Sequence, residues 1–478
     1  MAQAKESGKP IFVCSGFAGC HWCHRLAHEA FLSGPVVTLI SKHCVPLLID
    51  RQVRPDWDAF LMACCQAQGG SGGWPLMALT DDEGRPFWLS TYLPLASVPG
   101  RAGLIETLTT LIDYWEHDTS SMAHMARSLA QWVREEPPHN RAPISTAKEG
   151  AVALELALEG VKERAPSFMQ PWRLVLMAQQ GHRAQAARAA LDLAHHPIVD
   201  PLGGVFRYAT EPQWSTPHYE KNARLTGLWA WICAELSSEE ELLLDFARSS
   251  ARWLWRELWR EGQLFFGSDA DSDGIEGGHY LTSKEELPKL DEAFWDAFDL
   301  KGGLLVARAG LRGFEEELAL IEGSRTRPLA LDSGARVVDG LCVALAFHSL
   351  SLIEEEWKGR FEQVWAWTKG QPLLTLEDAA SRAFGDAFFE GDKGAFEGLA
   401  ASFAPHWKSW LPREDSPEPL YDVAGGETPG GIEWAGALAL LLGEKEEGLV
   451  KKLTTSWSLQ GVTLGRMMEE GQSWNFGK

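Results

Sequence analysis

Four residues, Cys20-His21-Trp22-Cys23, sit where a short apolar run gives way to a helical pattern, and that placement restricts the fold more than any other stretch of the chain. Upstream, Pro10-Ile11-Phe12-Val13-Cys14 is apolar, β-branched and aromatic, and Ser15-Gly16 closes it, as at the end of a buried strand. Downstream, Leu26, Ala27, Ala30 and Phe31 recur at helical spacing until Ser33-Gly34-Pro35 interrupts them. Two cysteines separated by two residues can close a small disulfide or share a metal. A strand, a tight turn and a helix put the first of them, Cys20, at a helix N-terminus, where peptide dipoles favour a thiolate.

Three other readings of these residues compete. His24 extends the string to C-x-x-C-H, the spacing of c-type haem attachment, but that chemistry needs an exported chain and Met1 to Glu6 has no apolar signal core. A zinc site would need more ligands, and no second C-x-x-C supplies them. A pair of inert buried cysteines is the plainest alternative. The flanking histidines and the turn favour a redox pair, in the order of elements found in thioredoxin, with no metal and no cofactor. An imidazolium at His21 or His24 would lower the Cys20 thiol further.

The next segment supports the same architecture. Val45 to Asp50 and Leu76 to Leu79 read as short apolar strands, with helices expected over Val36–Lys42 and Asp56–Gln68. Asp81-Asp82-Glu83-Gly84 reads as a hairpin turn into a partner strand over Arg85–Leu89. A glycine-rich loop, Gly69 to Gly73, leads into Trp74-Pro75. A thioredoxin-like domain carries a proline, usually cis, just before the strand that faces its C-x-x-C, and Pro75 occupies that place. An ordinary loop proline is the alternative.

A family resemblance rests on several motifs together. Lys9-Pro10-Ile11-Phe12, Cys20 to His24, Asp50-Arg51, Arg54-Pro55-Asp56, Ser71-Gly72-Gly73-Trp74-Pro75-Leu76, Arg85-Pro86-Phe87 and Thr91-Tyr92-Leu93-Pro94 follow one another in the order of the spermatogenesis-associated protein 20 family and its bacterial relatives. Gly203-Gly204, Arg207-Tyr208, Trp214 and Pro217-His218-Tyr219-Glu220-Lys221 resemble a second signature of that family. Ser268-Asp269-Ala270-Asp271-Ser272, with Glu276-Gly277 and Tyr280, resembles a third, and Leu376-Glu377-Asp378 is a weaker echo. The resemblance implies an α/β thioredoxin-like domain over residues 1–134, a linker over 135–143 and an all-α (α/α)6-type toroid over 144–478, similar to the barrels of sugar epimerases and some glycosidases. It implies no known reaction. The chain departs from the pattern where Val338-Asp339 replaces Trp-Asn, and where Asn222-Ala223-Arg224-Leu225-Thr226 lacks an expected aspartate. Few residues precede the first strand, and the end, Trp474 to Lys478, lacks the expected cysteine-bearing tail.

Charge and cysteine usage narrow the setting. The balance of 44 basic against 66 acidic residues gives −22, which disfavours nucleic acid and anionic lipid as partners. Six of the eight cysteines, Cys14, Cys20, Cys23, Cys44, Cys64 and Cys65, fall in the first sixty-five residues. That is no disulfide scaffold. No apolar run reaches the length of a membrane helix, and a cytoplasmic location is expected. After the proline-rich stretch Glu135 to Pro143, strand signals almost vanish, and helical periodicity recurs at intervals from Ala151 to Leu442. A helix pair within Leu104–Val133 is expected to pack on the N-terminal sheet or bridge to the toroid.

The polar signatures of the second half carry candidate chemistry of their own. If Pro217 to Glu220 is extended, His218 and Glu220 share one side and can serve as base and acid; alternatively Glu220 pairs with Arg207 in a structural network. Asp269 to Gly274 resembles a calcium-loop opening, but Tyr280 stands where the loop needs glutamate. Arg207, Trp214, His218, Glu220, Asp269 and Asp271 are therefore candidates to line a toroid cavity, with His279 and His348 as partners for His218. Trp172, Trp229 and Trp231, among 22 tryptophans, could stack on a sugar, though core packing explains each equally well. Two function classes emerge. One is a thiol–disulfide oxidoreductase with Cys20 as nucleophile, Cys23 as resolving thiol, Pro75 shaping the groove and His21, Trp22 and His24 around it, acting on a protein dithiol or disulfide. The other is a carbohydrate-modifying or carbohydrate-binding toroid, with a small sugar-like ligand and the N-terminal domain as accessory.

Overall fold

Alternation along the first strand decides the layering of the N-terminal unit. The computed structural model describes residues 1–69, 72–135, 144–161, 166–373, 375–399, 431–445, 447–454 and 459–476. These residues divide into two compact units, 1–135 and 144–476. Gly70 and Ser71 of the glycine-rich loop, linker residues 136–143 and residues 400–430, including the end of a helix expected over Asp392–His406, lie outside the described residues.

The first unit runs α1 (Ala2–Ser7), β1 (Ile11–Gly16), α2 (His21–Leu26), α3 (Gly34–His43), β2 (Val45–Asp50), α4 (Pro55–Ala67), β3 (Leu76–Thr80), β4 (Pro86–Ser90), α5 (Leu104–His117) and α6 (Thr119–Glu135). Its four strands form one sheet in the order β2-β1-β3-β4. β2 is parallel to β1, with Cys14 beside Leu48, and β3 is antiparallel, with Cys14 beside Met77. Successive side chains of a strand point to opposite faces. Phe12, Cys14, Met77 and Leu79 accordingly join Leu26, Val36, Ile40, Leu104, Leu108 and Trp115 in one core. Ile11, Val13, Leu76 and Ala78 join Ala4, Phe60, Leu61, Cys64 and Val133 in the other. The helix pair of Leu104–Val133 thus packs on this sheet. α2 continues through a π-helical turn, Ala27–Phe31, before Gly34-Pro35 opens α3.

The second unit is mainly helical, and its helices track the apolar periodicity closely. They include Ala147–Val161, Pro171–Gln179, Arg183–Ala194, Ala223–Leu236, Leu242–Trp253, Val337–Ser351, Lys358–Gly370, Leu376–Glu390, Gly431–Leu442, Glu447–Thr454 and Leu459–Glu469. The expectation of an all-α second half is corrected by its strands. Ser167–Phe168, Phe206–Ala209, Pro217–Asn222, Gly267–Ser268 and Leu331–Asp332 form a five-stranded sheet, and three two-stranded hairpins accompany it. These strands escape a reading by alternation because most span two to four residues, and because the longest, Pro217 to Asn222, buries charged side chains. Asp273 and Gly274, both with positive φ (52° and 74°), make the tight turn of one hairpin, which pairs Asp271 with Glu276. Trp172, Trp229 and Trp231 are fully buried, and Trp172 packs 5.0 Å from Trp434 and 5.9 Å from Trp474. Among the described residues no helix is long and apolar enough to cross a membrane.

Candidate active site

The end of β1 leads directly into the cysteine turn. Cys20 has extended backbone (φ −93°, ψ 103°) and caps α2, and its Sγ accepts the Cys23 N–H at 3.2 Å. Its carbonyl accepts the N–H groups of Cys23 and His24 at 3.0 and 3.1 Å. The first turn of the helix thereby directs its otherwise unpaired N–H groups at Cys20. The two cysteines are joined as a disulfide, with Cα atoms 5.2 Å apart. Cys20 is 5% exposed and Cys23 is half-buried. Gly16 is needed beside them, since a Cβ there would lie 2.8 Å from the Cys23 Sγ. Gly16→Ala is therefore expected to destabilise the oxidised protein by about 1–3 kcal/mol through overpacking. Urea unfolding of oxidised wild type and variant checks it, and equal midpoints would show that the turn yields freely.

Aromatic and charged side chains surround the turn. Trp22 is 39% exposed, with the Tyr92 ring 5.1 Å away, the Arg25 guanidinium 5.2 Å above it and the His21 ring 5.5 Å away edge-on. The Tyr92 hydroxyl donates to Glu29, which also accepts from Arg25 at 2.8 Å. These two bonds hold the Glu29 carboxyl below its ordinary range, while the first of them raises the Tyr92 phenol. His24 Nε2 lies 2.7 Å from the Ala18 carbonyl.

A second group of residues is tied together by Asp58, a nearly buried carboxylate of α4. It accepts from the Ser15 hydroxyl at 2.6 Å and from Trp74 Nε1 at 2.8 Å, with Arg51 Nε 3.7 Å away. Arg51 lies 3.8 Å from the Trp74 ring centroid, and Phe17 meets the same ring edge-on at 6.0 Å. The peptide Trp74–Pro75 is cis, as the order of elements leads one to expect. Asp58, Ser15 and Arg51 are not among the candidates that the sequence singles out. For Asp58 the available signal is an acidic residue inside an otherwise apolar helix face, and for Arg51 its place in one of the resemblance motifs.

Among the candidates of the second unit, Arg207 engages Glu220 and Asp269 engages Asp271. Pro217 to Asn222 is a strand, and it buries both His218 and Glu220. Arg207 Nη1 donates to Glu220 at 3.1 Å, so these two engage each other. His218 stacks on Tyr208 at 4.8 Å, and its Nε2 lies 3.8 Å from Glu276. The Asp271 N–H donates to Asp269 at 3.0 Å. Trp214 is buried with φ 58°, in the left-handed region. His279 bonds the Arg327 carbonyl at 2.7 Å, and His348 packs among Phe361, Phe388 and Phe389. Burial lowers the pKa of both histidines.

Two buried ion clusters carry no local signal in the sequence. Lys221 donates to Asp200 at 2.7 Å, and Arg325 binds the same carboxylate at 2.7 and 3.2 Å. Burial raises Asp200, but the two cations more than offset this and hold it well below the usual carboxylate range. Burial outweighs Asp200 at Lys221 and lowers the ammonium to about 8. In the second cluster Arg224 donates to Asp339 at 2.9 Å and to Glu377 at 2.8 Å. The two departures from the family pattern, at 222–226 and at 338–339, therefore meet as an ion pair.

The fold and site define a thioredoxin-like domain with a C-x-x-C pair at a helix start, followed by a mainly helical unit. Residues 1–134 match the family Thioredox_DsbH, described as a protein of unknown function, DUF255. The chain is a relative of the spermatogenesis-associated protein 20 family. It is 30% identical over 321 residues to spermatogenesis-associated protein 20 of Rattus norvegicus, covering 60% of this chain and 40% of the rat protein. With the Homo sapiens protein the identity is 29% over 321 residues, covering 60% of this chain and 41% of the human one. An uncharacterized Caenorhabditis elegans protein is 23% identical over 316 residues, 60% of this chain and 43% of its own. The match thus spans less than half the length of these relatives.

Proposed function

We propose that the chain is a thiol–disulfide oxidoreductase acting through Cys20 and Cys23 on a protein dithiol or disulfide. The observation that carries the reading is the Cys23 N–H directed at the Cys20 Sγ in the first turn of α2, a donor suited to a thiolate. The Cys20 thiolate attacks one sulfur of a substrate disulfide, forming a mixed disulfide and releasing a substrate thiolate. Cys23 loses its proton and attacks the Cys20 Sγ. The Cys20–Cys23 disulfide forms, the second substrate thiolate leaves, and two electrons have passed to the substrate. Run backwards, the same steps oxidise a substrate dithiol. Trp22 and Tyr92 supply an apolar surface for an extended substrate, the buried cis-Pro75 shapes the groove, and His21 and His24 supply donors near the turn. Six buried cysteines outside the disulfide suit a reducing, cytoplasmic setting.

In this reading residues 144–478 form an (α/α)6-type toroid that serves the redox domain. Its support is the run of paired helices, such as Ala223–Leu236 with Val337–Ser351 and Leu376–Glu390 with Gly431–Leu442. The test of the redox function is equilibration in glutathione buffers with thiol trapping, using Cys20→Ser as control. A reversible two-electron couple between about −270 and −180 mV is expected. Failure of the pair to form reversibly would leave the domain without redox function.

A further inference from the structure

β2 is the terminal strand of the N-terminal sheet, and its outer edge carries an unusual pattern of donors and acceptors. The Val45 N–H donates to the Pro10 carbonyl and the Arg51 N–H to the Gly16 carbonyl, each at 2.9 Å. Groups of alternate residues point to the same side of a strand, so residues 45, 47 and 49 face β1, and Pro46, Leu48 and Asp50 face outward. Pro46 has no N–H. The Asp50 carbonyl is occupied by the Val53 and Arg54 N–H groups at 3.1 and 2.8 Å. Among the described residues, the edge is left with the Pro46 carbonyl, both groups of Leu48, and the Asp50 N–H.

We propose that β2 pairs antiparallel with β2 of a second copy of this chain, about a two-fold axis at Leu48. That register sets Leu48 opposite Leu48 and Pro46 opposite Asp50 of the second copy. The Leu48 residues exchange both their hydrogen bonds, and each Asp50 N–H donates to the opposite Pro46 carbonyl. The donor that proline lacks falls opposite the acceptor that the Asp50 turn already uses, so no outward group is left unsatisfied. A shift by two residues sets Leu48 against proline and loses a donor. Proline on an edge ordinarily deters strand addition; here it selects one register. The side chains agree, because Leu48 is 74% exposed and Leu47 41% exposed on the other face. A single strand pair buries less than the roughly 800 Å² per partner of a stable interface. The association is therefore concentration-dependent, and a two-fold axis makes it closed.

Sedimentation of the full chain from about 1 µM to 1 mM tests the proposal. Wild type is expected to shift from monomer to dimer, and Leu48→Lys to raise the dissociation constant at least about tenfold by setting like charges opposite each other. Cross-linking gives a second, geometric readout. Opposed hydrogen-bonded residues have Cα atoms about 5.5 Å apart, within disulfide reach. The two copies of residue 47 would stand about 8 Å apart, beyond it. Leu48→Cys should therefore give a covalent dimer on a non-reducing gel, and Leu47→Cys and wild type should not. Monomer throughout the range, a dimer unaffected by Leu48→Lys, or equal cross-linking at both positions would each overturn the proposal.

Discussion

Reduced protein in native buffer near pH 7 is expected to take up iodoacetamide at two of its eight cysteines, Cys20 before Cys23. Burial pushes the Cys14 and Cys44 thiols up to about 12 and raises Cys65, Cys233 and Cys342 as well. Cys64 is wholly buried. A thiol near 12 carries about a thousandfold less thiolate at neutral pH than an ordinary one, so these positions react slowly even where reagent reaches them. At Cys20 two effects oppose. The Cys23 N–H and the helix terminus favour its thiolate, whereas Cys23 is the more exposed of the two. A lower thiol pKa raises the thiolate fraction near neutral pH by more than it cuts intrinsic nucleophilicity, so the first effect is a net gain. Quenched time points read by peptide mass spectrometry decide the matter. Modification of Cys23 first would show that access outweighs electrostatics and would reverse the assigned roles. Comparable labelling at Cys14 or Cys44 would mean that the sheet opens readily.

Arg336→Ala is expected to cost the second unit about 3–5 kcal/mol, as when one member of a buried ion pair is removed. The Arg336 guanidinium binds Asp378 at 2.9 and 3.1 Å, Glu377 at 2.9 Å and the Thr375 hydroxyl at 2.9 Å. Its backbone N–H donates to Asp339 at 2.7 Å, and Arg224 closes the cluster through Asp339 and Glu377. Asp339 and Asp378 are both fully buried, and burial already raises Asp378 above the usual carboxylate range. Without the guanidinium that carboxyl loses the cation that binds it at 2.9 and 3.1 Å while still facing the interior. Arg336→Lys should recover only part of the loss, because an ammonium cannot reproduce the planar fork. Arg336→Met combined with Asp378→Leu should be milder than the single change, since no charge is stranded. Denaturant unfolding, with hydrogen exchange along Val337–Ser351 and Leu376–Glu390, reads all three. An unchanged transition in Arg336→Ala would show that the cluster contributes little.

The elements legible in the sequence share one property: their signal is local. β1 is a run of apolar residues closed by Ser15-Gly16, and α4 and α5 repeat their apolar positions at helical spacing. Cys20 and Cys23 stand close in sequence and need only the strand before and the helix after to be placed. Pro75 is placed by the order of elements. The strands of the second unit are not legible, because two-residue strands such as Gly267–Ser268 offer no alternation. Lys221 looks like a surface residue and is buried, since Asp200, which it binds together with Arg325, comes from elsewhere in the chain, whereas the pairing of Glu220 with Arg207 is among the readings the sequence offers. Nothing in a local pattern announces that Arg325 will meet Asp200, 125 residues away. Asp58 escapes for the same reason, its partners Ser15 and Trp74 being brought to it only by the packed sheet.

Asp58 also bears on what the proposed redox cycle would demand of the protein. Its hydrogen bonds run to Ser15 and Trp74 and its charge faces Arg51, and no cysteine is among these partners. In the proposed cycle the Cys20–Cys23 bond can open or close without breaking any of these contacts. With the disulfide closed, the end of β1 and the residue before Pro75 are tethered to one carboxylate. In that proposed cycle electrons would be exchanged at the turn while the surface around it stays anchored, so reorganisation would fall on the atoms of the cysteine loop.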